Sequence, residues 1–244
     1  MEVTPAASRY RAPPIMEAVI QISFSEMQSD GALRKLVQKL KRDYANVVPT
    51  ENVNTTINFQ NRTAAFDASP QTRLSSHDEA DVLVVSAQAL TWSRLAPYEG
   101  WENLFNRVER ELREAVAVSG YRKIARIGVR YVNRLDVPFT GPSVLYEDYL
   151  TINLTIPEAW PAIENYAWRF ERQFGSLYAI VQSAIIAPEI PNTGAFLLDI
   201  DVVDQHNPPA KLEDVLTRLQ EMRQLKNEIF ESSITDKARD QFSI

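Results

Sequence analysis

Apolar and polar residues alternate from Met16 to Phe24, with Ile20, Ile22 and Phe24 on one side of the chain and Gln21 and Ser23 on the other. That period of two marks a strand with one buried face, and Pro13-Pro14 just before it excludes a helix there. The period changes at Asp30 and Gly31. Leu33, Leu36, Val37 and Leu40 fall on one helical stripe while Arg34, Lys35, Lys39 and Lys41 face water, which predicts a helix ending near Asn46. Val53 to Gln60 and Arg62 to Ala68 are rich in β-formers and flank Asn61, a residue that tolerates positive φ, so they predict a hairpin. Asp81 to Ser86 and Ala89 to Leu95 predict a second strand pair. Pro97, Tyr98 and Gly100 break the chain before a helix whose stripe is Trp101, Leu104, Phe105, Val108, Leu112, Ala115 and Val116, with Gly120 as its stop. Ile124 to Val137 follows as a long strand.

The first 137 residues therefore run strand, helix, strands, helix, strand, which suits a ferredoxin-like part (β-α-β-β-α-β) with both helices on one face. Residues 138–161, containing Gly141-Pro142 and Pro157, form a connecting segment. Residues 162–244 hold three strands, Trp168 to Phe174, Leu177 to Ile186 and Ala195 to Val203, then Pro208-Pro209 and a helix from Lys211 to Glu231. The chain then tails off through Ser232, Ser233 and Asp236. The expected class is α+β: antiparallel sheets with helices mainly on one face, the second part a β-meander closed by a C-terminal helix. The two parts are expected to make one continuous globular unit.

Five stretches together resemble a sporadically distributed, uncharacterised bacterial family of about this length. They are Pro13-Pro14-Ile15-Met16-Glu17-Ala18-Val19-Ile20, Tyr98-Glu99-Gly100-Trp101, Arg130-Tyr131-Val132-Asn133-Arg134-Leu135, Leu198-Asp199-Ile200-Asp201-Val202 and Phe230-Glu231-Ser232-Ser233-Ile234-Thr235. The resemblance implies a bacterial accessory protein, with a patchy distribution of the kind seen for mobile or defence-associated genes. It supplies no reaction and no site residue.

The 244 residues are 45% hydrophobic and 24% charged, the balance of a globular chain. Twenty-six basic against 32 acidic side chains give a net charge of −6, the wrong sign for affinity built on phosphate contacts. The absence of cysteine removes disulfides, thiolate metal sites and thiol nucleophiles at once. Met1 to Arg11 lacks the apolar core of a signal peptide, and no stretch approaches the ~18 apolar residues of a membrane span, so the expected location is cytoplasmic.

Arg126, Arg130 and Arg134 share one strand parity, with Asn133 and Tyr131 expected near the rim. Three guanidinium groups on one face can hold a carboxylate or phosphate, or they can pair across strands with Asp199 and Asp201, which also alternate onto one face. Asp199 and Asp201 equally admit a divalent cation, although dedicated sites gather more ligands. His77 and His206 sit in polar loop sequence, and no Gly-x-Ser-x-Gly or phosphate-binding glycine loop occurs. Trp92, Trp101, Trp160 and Trp168, with Tyr98 and Tyr131, serve as core or as an aromatic pocket. In the last helix Leu212, Val215, Leu219, Met222 and Ile229 follow heptad positions interrupted by Lys226, fit either for docking on the chain's own sheet or for a dimer seam. The leading functional expectation is a non-enzymatic, homodimeric module without cofactor or metal, engaging a protein or small anion through the arginine face. The alternatives are an RNA-binding or RNA-processing protein with tandem ferredoxin-like units, and a metal-dependent hydrolase or transferase using Asp199 and Asp201. Nucleic acid is disfavoured by charge, and no membrane partner is expected.

Overall fold

A computed structural model describes residues 10–58, 63–139, 145–152 and 165–243, with side chains omitted for 52–58 and 63–68. The protein is α+β. Among the described residues nine strands form one open antiparallel sheet in the order β2-β3-β4-β5-β1-β6-β9-β8-β7, accompanied by four α-helices. The elements are β1 (Ile15–Phe24), α1 (Asp30–Leu40), β2 (Asn46–Asn58), β3 (Thr63–Ser75), β4 (Asp81–Ser86), β5 (Ala89–Leu95), α2 (Trp101–Ser119), β6 (Ile124–Pro138), β7 (Ala167–Phe174), β8 (Leu177–Ile186), β9 (Thr193–Asp204), α3 (Leu212–Ser233) and α4 (Asp236–Phe242).

The chain packs as two compact units, one made of Val19–Ile127 and Pro208–Leu216, the other of Met1–Ala18, Gly128–Asn207 and Thr217–Ile244. In the first, here the helix-pair unit, α1 and α2 connect strands whose order β4-β5-β1 continues into β6, the ferredoxin-like arrangement with the β2–β3 hairpin inserted between α1 and β4. The strand alternation places Ile20, Ile22, Leu83 and Trp92 in the core, and the helices add Leu36, Leu40, Leu104, Val108 and Leu112. Ser29 caps α1 by accepting from the Ala32 amide. Gly120 ends α2 as expected, at φ 74°, with its amide bonded to the Val116 carbonyl.

The first helix is shorter than the apolar stripe predicts. It stops at Leu40, a 3₁₀ turn covers Lys41–Asp43, and Asn46 already lies in β2. Val47 and Val48 favour the extended state, and Pro49 holds the residue before it there. The hairpin is correspondingly longer than expected, pairing Asn46 with Ser75 at its open end, while the turn at Asn61 lies outside the described residues.

In the second, here the meander unit, β7, β8 and β9 pair consecutively and antiparallel, with Gln182 opposite Asp199 and Arg169 opposite Gln182. Gly141, Pro142, Pro157 and Trp160 lie outside the described residues. The described piece of the connecting segment, 145–152, is packed: Tyr149 and Leu150 are buried, and backbone bonds tie Thr151 to Ser233 and Thr235 to Tyr149. The expected tail instead forms α4, capped by Thr235 and seated through Ala238 and Phe242.

Candidate functional site

Along β6 the side chains of Val129, Tyr131, Asn133, Leu135 and Val137 are buried, which turns Arg130 and its parity partners to the opposite side. On that side of the meander unit Arg130 meets Asp199. Arg130 Nε donates to the carboxylate at 2.8 and 3.1 Å, and Nη2 donates as well. Gln182, opposite Asp199 in the β8–β9 register, donates a further bond of 2.6 Å. The pair is asymmetric: the Asp199 side chain is 7% exposed and the Arg130 side chain 47%. A buried carboxylate therefore grips a guanidinium that stays half in solvent, in the forked geometry that makes arginine–carboxylate pairs directional. The hydrogen bonds that Arg130 donates to Asp199 raise its already high pKa, outweighing burial, and Asp201 and Glu17 push the same way.

The other residues expected at this face divide. Arg134 binds Asp136 through Nε and Nη2 at 2.8 and 2.9 Å and reaches Glu189 at 2.8 Å. Arg126 belongs to the helix-pair unit, where Nη1 donates to Gln21 Oε1 at 2.9 Å. Asn133 and Tyr131 are not at the rim. Both lie on the buried side, 2% and 1% exposed, and the Asn133 amide is spent on the Leu198 carbonyl at 2.9 Å. Asp201 is half-buried and reaches Arg130 electrostatically. The heptad stripe of α3 is internal: Val215, Leu219 and Met222 are 0% exposed and Ile229 is buried, with Leu212 half-buried. Burial of that stripe within the chain takes it away from any seam between copies. Trp92 and Trp101 are core residues, and His77 and His206 are exposed.

Among the described residues, further buried charged groups were not singled out as sites by the sequence pattern. In the helix-pair unit Glu111 is fully buried and accepts from Tyr44 (3.0 and 2.9 Å), the Trp92 indole (2.8 Å) and Arg110 (3.0 Å). Arg107, also buried, donates to Tyr44, to the Ser93 carbonyl and to Asp81. Burial pushes the Glu111 carboxyl up, and Arg107, Tyr44, Trp92 and Arg110 pull it back part of the way. The signal was present in the spacing, because Leu104, Val108, Glu111 and Ala115 share one helical face. In the meander unit Lys226 is buried with its ammonium 3.9 Å from the centre of the Tyr131 ring. Burial lowers its pKa from 10.5 to about 7, helped by Arg223 and opposed by Glu231.

Among the described residues no cluster of three or more histidine, aspartate or glutamate side chains is placed to hold a metal ion, and both Asp199 oxygens are occupied by Arg130 and Gln182. No described helix is long and apolar enough to cross a membrane. No protein-family model matches the chain, and no curated protein matches it either.

Proposed function

We propose that this chain is a non-enzymatic binding module that engages a protein partner through the Arg130 side of the meander unit's sheet. The carrying observation is the asymmetry of the Arg130–Asp199 pair. A half-exposed arginine whose orientation is fixed from below loses little entropy on docking, and arginine is among the residues that concentrate interface energy. The same geometry speaks against a small anion, since the guanidinium already holds a carboxylate and Glu17 and Asp201 add negative charge nearby. Mixed charge at close range favours a protein surface over a polyanion, in line with the net charge of −6. This is compatible with the bacterial accessory role that the sequence resemblance implies.

The test is direct binding to the protein that co-purifies with the native chain, using wild type, Arg130→Ala and the control Arg126→Ala. Arg130→Ala is expected to weaken the complex about 30-fold or more. It should also cost about 1–3 kcal/mol of stability, because removing the half-solvated guanidinium leaves the buried Asp199 carboxylate without its charged donor. An affinity equal to wild type overturns the reading.

A further inference from the structure

β7 ends the strand order of the sheet and pairs with β8 at all eight of its positions, so its far side presents a row of backbone donors and acceptors, with no other strand paired to it among the described residues. The other end of the sheet is treated differently. β2 carries Pro49, which has no N–H to offer and blocks extension. β7 has no proline and is exposed over most of its length. Its sequence Ala-Trp-Arg-Phe-Glu-Arg-Gln-Phe puts Arg169 and Glu171 on one face, paired with each other, and Trp168 and Phe170 on the other, their rings stacked 5.2 Å apart.

We infer that β7 is the interface between two copies of this chain, joined edge to edge and antiparallel about a two-fold axis through Phe170. Copies related in this way keep each residue on its own sheet face, so the axis must pass through a residue position. Placed at Arg169 or at Glu171, it sets like charges directly opposite, which is destabilising. Placed at Phe170, it sets Arg169 opposite Glu171 of the partner subunit, and Glu171 opposite Arg169 of the partner subunit. The other face then brings the two Phe170 rings together and Trp168 opposite a cationic Arg172, both favourable cross-strand pairs. The alternating charge of the edge is thus self-complementary in one register. An edge guarded against pairing would instead carry one sign of charge throughout.

The experiment is light scattering on the full chain across a dilution series, with charge-reversed variants at two half-exposed positions, their fold checked by circular dichroism. Wild type is expected at twice the monomer mass. Arg169→Glu alone and Glu171→Arg alone each place like charges opposite one another twice per dimer and weaken self-association about tenfold or more. The double variant Arg169→Glu/Glu171→Arg, and an equal mixture of the two single variants, are both expected to recover dimers. A monomeric wild type, single variants that dimerise like wild type, or a mixture that stays monomeric would each overturn the assignment.

Discussion

Glu111 on α2 and Lys226 on α3 occupy the same kind of place, the core-facing stripe of an amphipathic helix, and the protein treats them in opposite ways. Glu111 is surrounded by donors: a phenol, an indole and a guanidinium reach its two oxygens. Lys226 meets the flat face of Tyr131. A buried charge that is fully hydrogen-bonded becomes structure, tying α2 to Tyr44 and to Trp92 of β5. One that is met by an aromatic face and by the charge of Glu231 alongside that of Arg223 remains a cost to the fold and titrates near neutrality. The difference teaches that burial of a charged group says little until its partners are counted.

The sharpest way to break this contrast is Glu111→Ala. It strands the Tyr44 hydroxyl and the Trp92 indole and removes a carboxylate beside Arg107, so chemical denaturation should show a loss of about 3–5 kcal/mol. A loss below about 1 kcal/mol would mean the network contributes no more than a surface pair.

Lys226→Met is expected to act in the other direction, stabilising the protein by about 1–4 kcal/mol at pH 7. The sign follows from the depressed pKa. The unfolded chain keeps the Lys226 proton up to about 10.5 whereas the folded chain keeps it only to about 7, so wild-type stability rises with pH across that window and is lost as pH falls back to 7. Melting curves at several pH values should show the gain of Lys226→Met shrinking toward pH 10.5. A gain that does not change with pH would refute the assignment.

The smallest of the three effects belongs to Tyr44→Phe, which removes one donor to Glu111 and one acceptor from Arg107 while keeping the ring. A cost of about 1–2 kcal/mol is expected, and together with Glu111→Ala in a double-mutant cycle it should be strongly non-additive.

Much of the architecture was legible because it rests on periodicity. The alternation Ile20, Ile22, Phe24 and the stripe Leu104, Val108, Leu112 each report a single local geometry, and both elements form where the pattern places them. Boundaries were harder. Leu33 to Leu40 continues smoothly toward Asn46 in helical phase, but the preference of Val47-Val48-Pro49 for extended backbone ends the helix at Leu40. The tail from Asp236 read as irregular although Thr235, Ala238 and Phe242 spell a capped turn with two buried contacts. At the site, parity alone put Arg126, Arg130 and Arg134 on one side of β6, yet it could not say which would meet Asp199. That depends on the β8–β9 register and on the neighbours of β6, which are long-range choices. Asn133 shows the limit most plainly, since a polar residue beside two arginines looks like a ligand until its amide is seen to satisfy the Leu198 carbonyl.

Each compact unit is assembled from separate stretches of chain, three for one and two for the other, with β1, β6 and α3 passing from one to the other. Truncation is therefore a blunt instrument for this molecule. Deleting everything after Asn207 removes pieces of both units, and no single cut releases either intact. Dissection of its role must proceed residue by residue, and a protease that nicks one loop should leave fragments that stay associated until denaturant parts them.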